Sequence, residues 1–120
     1  MKTILKRTEG VPFVNLSGEV TEEDFEELEA LFTGLLAANE LSVVMNLAGC
    51  EHIQTNLIPE LINFKRRFNE RGGDIKLINV SDYVNSLFSL YGFHPFDIYP
   101  SKQAALKSIA RMSVLKSIGG

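Results

Sequence analysis

Cys50, His52 and His94 are the side chains best suited to hold a metal or act as a nucleophile. Cys50 and His52 lie close together, and His94 is remote in sequence. A structural zinc site takes about four ligands at recognisable spacings, so this set predicts no metal site. A Cys50–His94 nucleophile pair would need a third group to orient the base, and no residue supplies it. Phosphate chemistry has no motif either. The chain carries no G-x-x-x-x-G-K-[ST] run and no G-x-G-x-x-G after a strand. Gly72-Gly73 follows a helical pattern and reads as a helix stop. Lys65, Arg66, Arg67 and Arg71 cluster towards the end of that helix, where cations suit the dipole. The run from Glu22 to Glu29 reads as a solvated acidic helix face. No cofactor is expected.

Thr55 is the more informative position. A buried strand and a loop deliver the chain there into a helix N-terminus. As an N-cap, its hydroxyl would accept a hydrogen bond from a free helix N–H. An exposed hydroxyl at the same place is also a phosphorylation acceptor. A phosphate adds about −1.5 to −2 charges. The positive end of a helix tolerates that charge, whereas an interface fitted to a neutral hydroxyl does not. One modified residue would then leave the fold intact and release a partner. The turn around Thr55 is therefore the expected working surface.

The elements that must position this turn follow from periodicity. Thr3–Thr8 and Val11–Leu16 read as strands joined at a tight Glu9-Gly10 turn. Pro12 cannot donate to a ladder, which places this pair at or near a sheet edge. Ser17–Val20 reads as a turn. Thr21 opens a helix with an acid at the third position, whose buried stripe is Phe25, Leu28, Leu31, Phe32, Leu35 and Leu36. Ser42–Leu47 is a nearly continuous apolar run, as expected of a strand covered on both faces. Ala48–Gln54 reads as a loop, with Cys50 a small apolar or half-exposed residue in it.

A second helix starts near Thr55 or Asn56, with Pro59 in its first turn and Leu57, Leu61, Phe64 and Phe68 on one stripe. Ile75–Val80 is the next strand. Ser81 or Asp82 caps a third helix that buries Val84, Leu87, Phe88 and Tyr91, and Gly92 ends it. Phe96–Tyr99 is a last strand. Pro100-Ser101 opens a final helix through Ala105, Leu106, Ile109 and Met112. The order predicts an α/β fold. Its mixed five-stranded sheet has an antiparallel N-terminal hairpin, remaining strands parallel, and about four helices. In such sheets the functional crevice lies beyond the carboxyl ends of the parallel strands, here Ser17–Val20, Ala48–Gln54 and Val80–Asp82.

Length and charge narrow the function. The 120 residues suit a single domain spanning 1–120, and 45% hydrophobic residues suffice for a core without staples. A net charge of −3 gives no basic stripe, so no nucleic-acid partner is expected. Lys6, Arg7, Thr8 and Glu9 interrupt the opening apolar run too early for a secretory signal. No stretch approaches the ~20 apolar residues that span a bilayer, so no membrane insertion is expected. A single cysteine forms no internal disulfide and suits a reducing, cytoplasmic setting.

Across nearly its whole length the chain resembles the STAS domain, the fold of bacterial anti-sigma factor antagonists. Val43-Val44-Met45-Asn46-Leu47 resembles the central strand of that family, and Gly49-Cys50-Glu51-His52-Ile53 its following loop. Gln54-Thr55-Asn56-Leu57 lies where the family carries Asp-Ser-Ser-Gly or Asp-Thr variants. Ser17-Gly18-Glu19-Val20 is similar to its turn before the first helix. Arg71-Gly72-Gly73, Ile75–Val80, Leu87–Phe93, Ile98-Tyr99-Pro100-Ser101 and Ala105-Leu106 follow in the family's order.

The resemblance implies a non-enzymatic partner switch. A serine/threonine kinase that is also an anti-sigma factor, or a related regulator, would bind it. The kinase would phosphorylate the hydroxyl matching Thr55, and a cognate phosphatase would restore it. The implied contact positions are Gly18, Glu19, Glu51, His52, Gln54, Asn56, Leu57, Ser81 and Asp82, on a monomer or weak dimer. The chain departs from the family pattern at Gln54 and Asn46, where aspartate is usual, and at Leu57, where glycine is usual. Those departures favour a second implication: a constitutive adaptor or complex subunit, for example at a membrane transporter, with no phosphorylation.

Overall fold

The computed structural model describes the backbone of residues 1–92 and 94–119 and the side chains of residues 1–92 and 94–115. Strands β1 (Lys2–Thr8) and β2 (Val11–Val20) form the opening hairpin. Glu9 and Gly10 both take positive φ, 53° and 77°, the geometry that lets a two-residue turn match the twist of its strands. Pro12 faces Arg7 of β1, and pairing of β2 with β3 begins one residue later, at Phe13. The proline therefore removes no donor from the inner ladder. Strands β3 (Ser42–Ile53), β4 (Asp74–Ile78) and β5 (Ile98–Tyr99) complete a sheet in sequence order. β1 pairs antiparallel with β2, and all later pairs are parallel, as the alternation of elements predicts.

Helices α1 (Phe25–Ala37), α2 (Ile58–Glu70), α3 (Asp82–Ser89) and α4 (Lys102–Gly119) connect and cover these strands. A short 3-10 turn precedes each of α1 and α2, over Glu22–Asp24 and Thr55–Leu57. Thr21 starts the first of them, and its N–H donates to Asp24 Oδ2 at 2.8 Å. The Gly72 turn closes α2: the Gly73 N–H returns to the Phe68 carbonyl at 2.9 Å, and Gly72 takes φ +82°.

Side chains alternate across each strand, which separates two apolar layers. Val14, Leu16, Val43, Met45 and Leu77 face α1, α2 and α3. Phe32 is the hub of that layer, with its ring centroid 5.0 Å from Phe64 and 6.1 Å from Phe68. Phe13, Val44 and Ile78 point the other way and meet Ala105 and Ile109 of α4.

Four expectations need correction. Ser17–Val20 and Ala48–Ile53 are strand, not turn and loop: β2 and β3 stay paired to Val20 and Ile53, with register shifts at Asn15/Ser17 and Gly18/Glu19. The glycines there serve close approach and not chain reversal. A Cβ on Gly49 would lie 2.8 Å from Ser17 Cβ. Cys50 is consequently a buried strand residue. Tyr91 is 41% exposed, because α3 ends at Ser89 and its helical spacing lapses. Met112 is also exposed, beyond Ala105 and Ile109, which α4 buries against the sheet. Phe93, part of the expected end of α3, lies outside the described residues.

Candidate partner-docking surface

The parallel strands end together at one rim. The Gln54 N–H donates to the Val20 carbonyl at 2.9 Å, so β3 leaves the sheet where β2 does. The chain then turns through Thr55–Leu57 into α2. Thr55 is the first residue of this turn and not its cap; Gln54 precedes it as the cap residue. The Thr55 side chain is exposed, and its hydroxyl has no hydrogen-bond partner among the described residues. The capping bond expected of Thr55 is therefore absent.

Its neighbours are committed elsewhere. Gln54 Oε1 accepts from the Glu22 N–H at 3.1 Å, satisfying a free donor at the start of the turn before α1. The Asn56 amide donates to the Glu22 carboxylate. Glu22 thus ties the start of α1 to the start of α2, with Thr55 standing between two anchored residues. Leu57 is 5% exposed and belongs to the α1–α2–α3 layer. It is a core residue, so its expected role as a contact is corrected.

Other expected contact residues do gather around the rim. Glu19 pairs with His52 across β2 and β3, and Gly18 pairs with Cys50. Gly18 takes φ +82°, a backbone that side-chain-bearing residues rarely adopt. Glu19, Glu51 and Asn56 are exposed, and Gln54 is half-buried. Ser81 accepts from the Val84 N–H at 3.1 Å and caps α3; Ser81 and Asp82 are both exposed. With Glu22, the residues Glu19, Glu51 and Asp82 set carboxylates on the elements that meet at this rim.

One rim residue escaped sequence reasoning. Tyr83 is 51% exposed and stacks on His52, with centroids 5.7 Å apart and planes 24° from parallel. His52 Nδ1 and the Tyr83 hydroxyl are 2.6 Å apart. The available signal was an aromatic in the first turn of α3 that lies off the buried stripe of Val84, Leu87 and Phe88. Exposed aromatics that hold their own shape are frequent anchors in protein interfaces.

The catalytic and metal candidates have structural roles or unsuitable surroundings. Burial pushes the Cys50 thiol pKa up; the His52 carbonyl contact opposes this and the Glu51 charge adds to it. A thiol held protonated in this way is a poor nucleophile. Among the described residues no group of three or more His, Cys, Asp or Glu is arranged to hold a metal ion. The basic cluster serves the fold. Lys65 pairs with Asp74, Arg67 lies over the Phe64 ring at 5.8 Å, and Arg71 donates to the Leu36 carbonyl at 2.7 Å. No helix among the described residues is long and apolar enough to cross a membrane.

A family model described as "Mlab, STAS domain" matches residues 4–98. No curated protein matches the chain. A putative anti-sigma factor antagonist from Thermotoga maritima superposes with a TM-score of 0.82 at 18% identity, over 91% of this chain and 95% of that one. The unphosphorylated form of the anti-sigma factor antagonist SpoIIAA gives 0.79 at 17% identity, over 92% and 97%. The phosphorylated form of SpoIIAA, a Bacillus cell fate determinant, gives 0.72 at 15%, over 90% and 99%. The murine anion transporter Slc26a9 gives 0.70 at 17%, over 88% of this chain and 18% of the transporter.

Proposed function

The chain belongs to the STAS-domain family, and on that premise we propose that it is a non-enzymatic, cytoplasmic protein-binding regulator that works by partner switching. A partner of the anti-sigma or serine/threonine kinase kind docks on the rim at Thr55. Transfer of a phosphoryl group from ATP to the Thr55 hydroxyl then releases the partner, and a phosphatase resets it. The observation that carries this reading is the exposed Thr55 hydroxyl, which no bond within the fold requires.

The physical consequence differs for fold and interface. The helix start tolerates the added charge of about −1.5 to −2. The docked partner would face a phosphate set among Glu19, Glu22, Glu51 and Asp82, and like charge held in a desolvated contact costs affinity. SpoIIAA, which has this fold, exists in both an unphosphorylated and a phosphorylated form.

The test is to incubate the protein with ATP and the kinase-like partner encoded nearest to it, then measure intact mass and map the phosphate. Phosphate on Thr55, and partner binding that survives Thr55→Ala but not Thr55→Glu, supports the switch. No phosphate, with binding unchanged in both variants, overturns it.

A second reading has its own observation. Gln54 stands where the family usually has aspartate, and its side chain is spent on capping Glu22. A rim locked in this way suits a constitutive adaptor or a subunit of a complex, and the STAS portion of a transporter shares the fold. The mass measurement separates the two readings.

A further inference from the structure

Asparagine is depleted in strands, and above all in parallel strands covered on both faces. Yet Asn15 on β2 and Asn46 on β3 are directly paired, and Asn79 follows β4 at the same level. Asn15 and Asn46 lie on the α4 side of the sheet, in the alternation that points Phe13 and Val44 there. Asn79 lies just past the strand with φ 56°, and its amide reaches the same face to meet Asn46.

They form one directed chain. The Asn79 amide donates to Asn46 Oδ1 at 2.9 Å, and the Asn46 amide donates to Asn15 Oδ1 at 2.7 Å. Backbone groups at two points fix its polarity. The Ala48 N–H can only donate, and it donates to Asn46 Oδ1 at 3.1 Å. The Ile4 carbonyl can only accept, and it takes the Asn15 amide at 3.2 Å. Asn46 Oδ1 therefore accepts two bonds, and each amide nitrogen holds a second N–H. Among the described residues, the second N–H of Asn46 and that of Asn79 have no hydrogen-bond partner.

These amides floor a cleft of about 340 Å³ on the part of the sheet that α4 leaves uncovered. Lys6 and Lys102 stand over it, and Ile4, Phe13 and Ile78 give it apolar walls. No carboxylate lines it, in a chain of net charge −3. Lys102 is the first residue of α4, the end at which a cation is disfavoured by the helix dipole. It sits there with its ammonium 5.0 Å from the centre of the Phe13 ring. That cation–π contact holds the ammonium beside the cleft, where it can also meet an anion.

We propose that this cleft binds a small soluble phosphate monoester. The phosphate lies on the Asn46 and Asn79 N–H groups between the two ammonium groups, and the organic part lies against Phe13 and Ile4. Its volume falls in the range of small-ligand pockets, about 300–1,000 Å³. The site uses none of the rim residues and stands or falls independently of partner switching.

The experiment titrates the isotope-labelled protein with inorganic phosphate and then with AMP at fixed ionic strength, following the asparagine side-chain amide signals by NMR. Saturable shifts at Asn46 and Asn79 are expected, with AMP binding tighter than phosphate. Lys6→Ala and Lys102→Ala each weaken the apparent Kd by about tenfold, the loss of one charge-assisted contact. Both lysines are exposed, so both variants keep the fold, which an unchanged melting temperature verifies. Unmoved asparagine signals, or equal affinity in the lysine variants, overturn the proposal. Sedimentation with phosphatidic acid vesicles that AMP does not compete away also overturns it, in favour of a lipid surface.

Discussion

Replacing Thr55 and Gln54 one at a time separates a free hydroxyl from a capping residue. Thr55→Ala removes a hydroxyl that bonds to nothing in the fold, on an exposed side chain. Such a change stays within about 0.5 kcal/mol. Gln54→Ala removes the acceptor for the Glu22 N–H, and losing a cap at a helix start costs about 1 kcal/mol. At about 2.1 cal/mol/K per residue, 120 residues unfold with about 250 cal/mol/K, so 1 kcal/mol lowers Tm by about 4 °C. Differential scanning calorimetry should show Thr55→Ala within about 2 °C of the parent and Gln54→Ala about 4 °C below it. The reverse order, with Thr55→Ala the more damaging, would refute the geometry of the turn and the argument for a free acceptor.

Restoring the glycine usual in the family, Leu57→Gly, empties a buried site and loosens the turn; it costs at least about 3 kcal/mol in urea unfolding. A loss below about 1 kcal/mol would mean that Leu57 is no core residue. In Gly73→Ala the new methyl carbon would lie 2.1 Å from the Leu41 carbonyl oxygen. The backbone must give, and urea midpoints should report a loss of about 1–3 kcal/mol; an unchanged midpoint refutes the close approach. Arg7 makes a two-pronged contact with Glu40 at 2.7 and 2.6 Å, and its hydrogen bond holds the Glu40 carboxyl below its usual pKa. A depressed carboxyl stabilises the fold above its unfolded pKa and loses that contribution as pH falls through the folded value. The parent should therefore lose more stability on acidification than Arg7→Ala does. Parallel acid limbs in the two proteins would show that the pair contributes nothing.

The order of elements, helix placement and the hairpin were legible because each rests on local periodicity or on one unambiguous turn, Glu9-Gly10. The far ends of β2 and β3 were not, because Gly18 and Gly49 carry the composition of turns. Only the facing strand reveals that Gly49 makes room for Ser17. Thr55 was legible as a helix-start residue, yet its hydroxyl caps nothing, and the neighbouring Gln54 side chain instead caps the turn before α1, 32 positions away in sequence. Tyr83 gains its meaning only from its contact with His52 across two elements. Lys76 shows the same limit. Burial alone would lower the pKa of this strand lysine, and Asp74 and Tyr99 outweigh it and raise the value, a balance that composition does not carry.

The two borders of the sheet restrict how anything can attach to it. An unpaired strand edge is a template for adding another strand, which is how many chains aggregate or capture extended peptides. Here one border is β1, which carries Lys2, Lys6 and Arg7, and the other is β5, only two residues long. The first discourages a like strand by charge, and the second offers too short a ladder to hold one. Fibre growth by strand addition is disfavoured at both borders. Recognition is left to side chains on faces and rims, where one substitution or one modification can retune it.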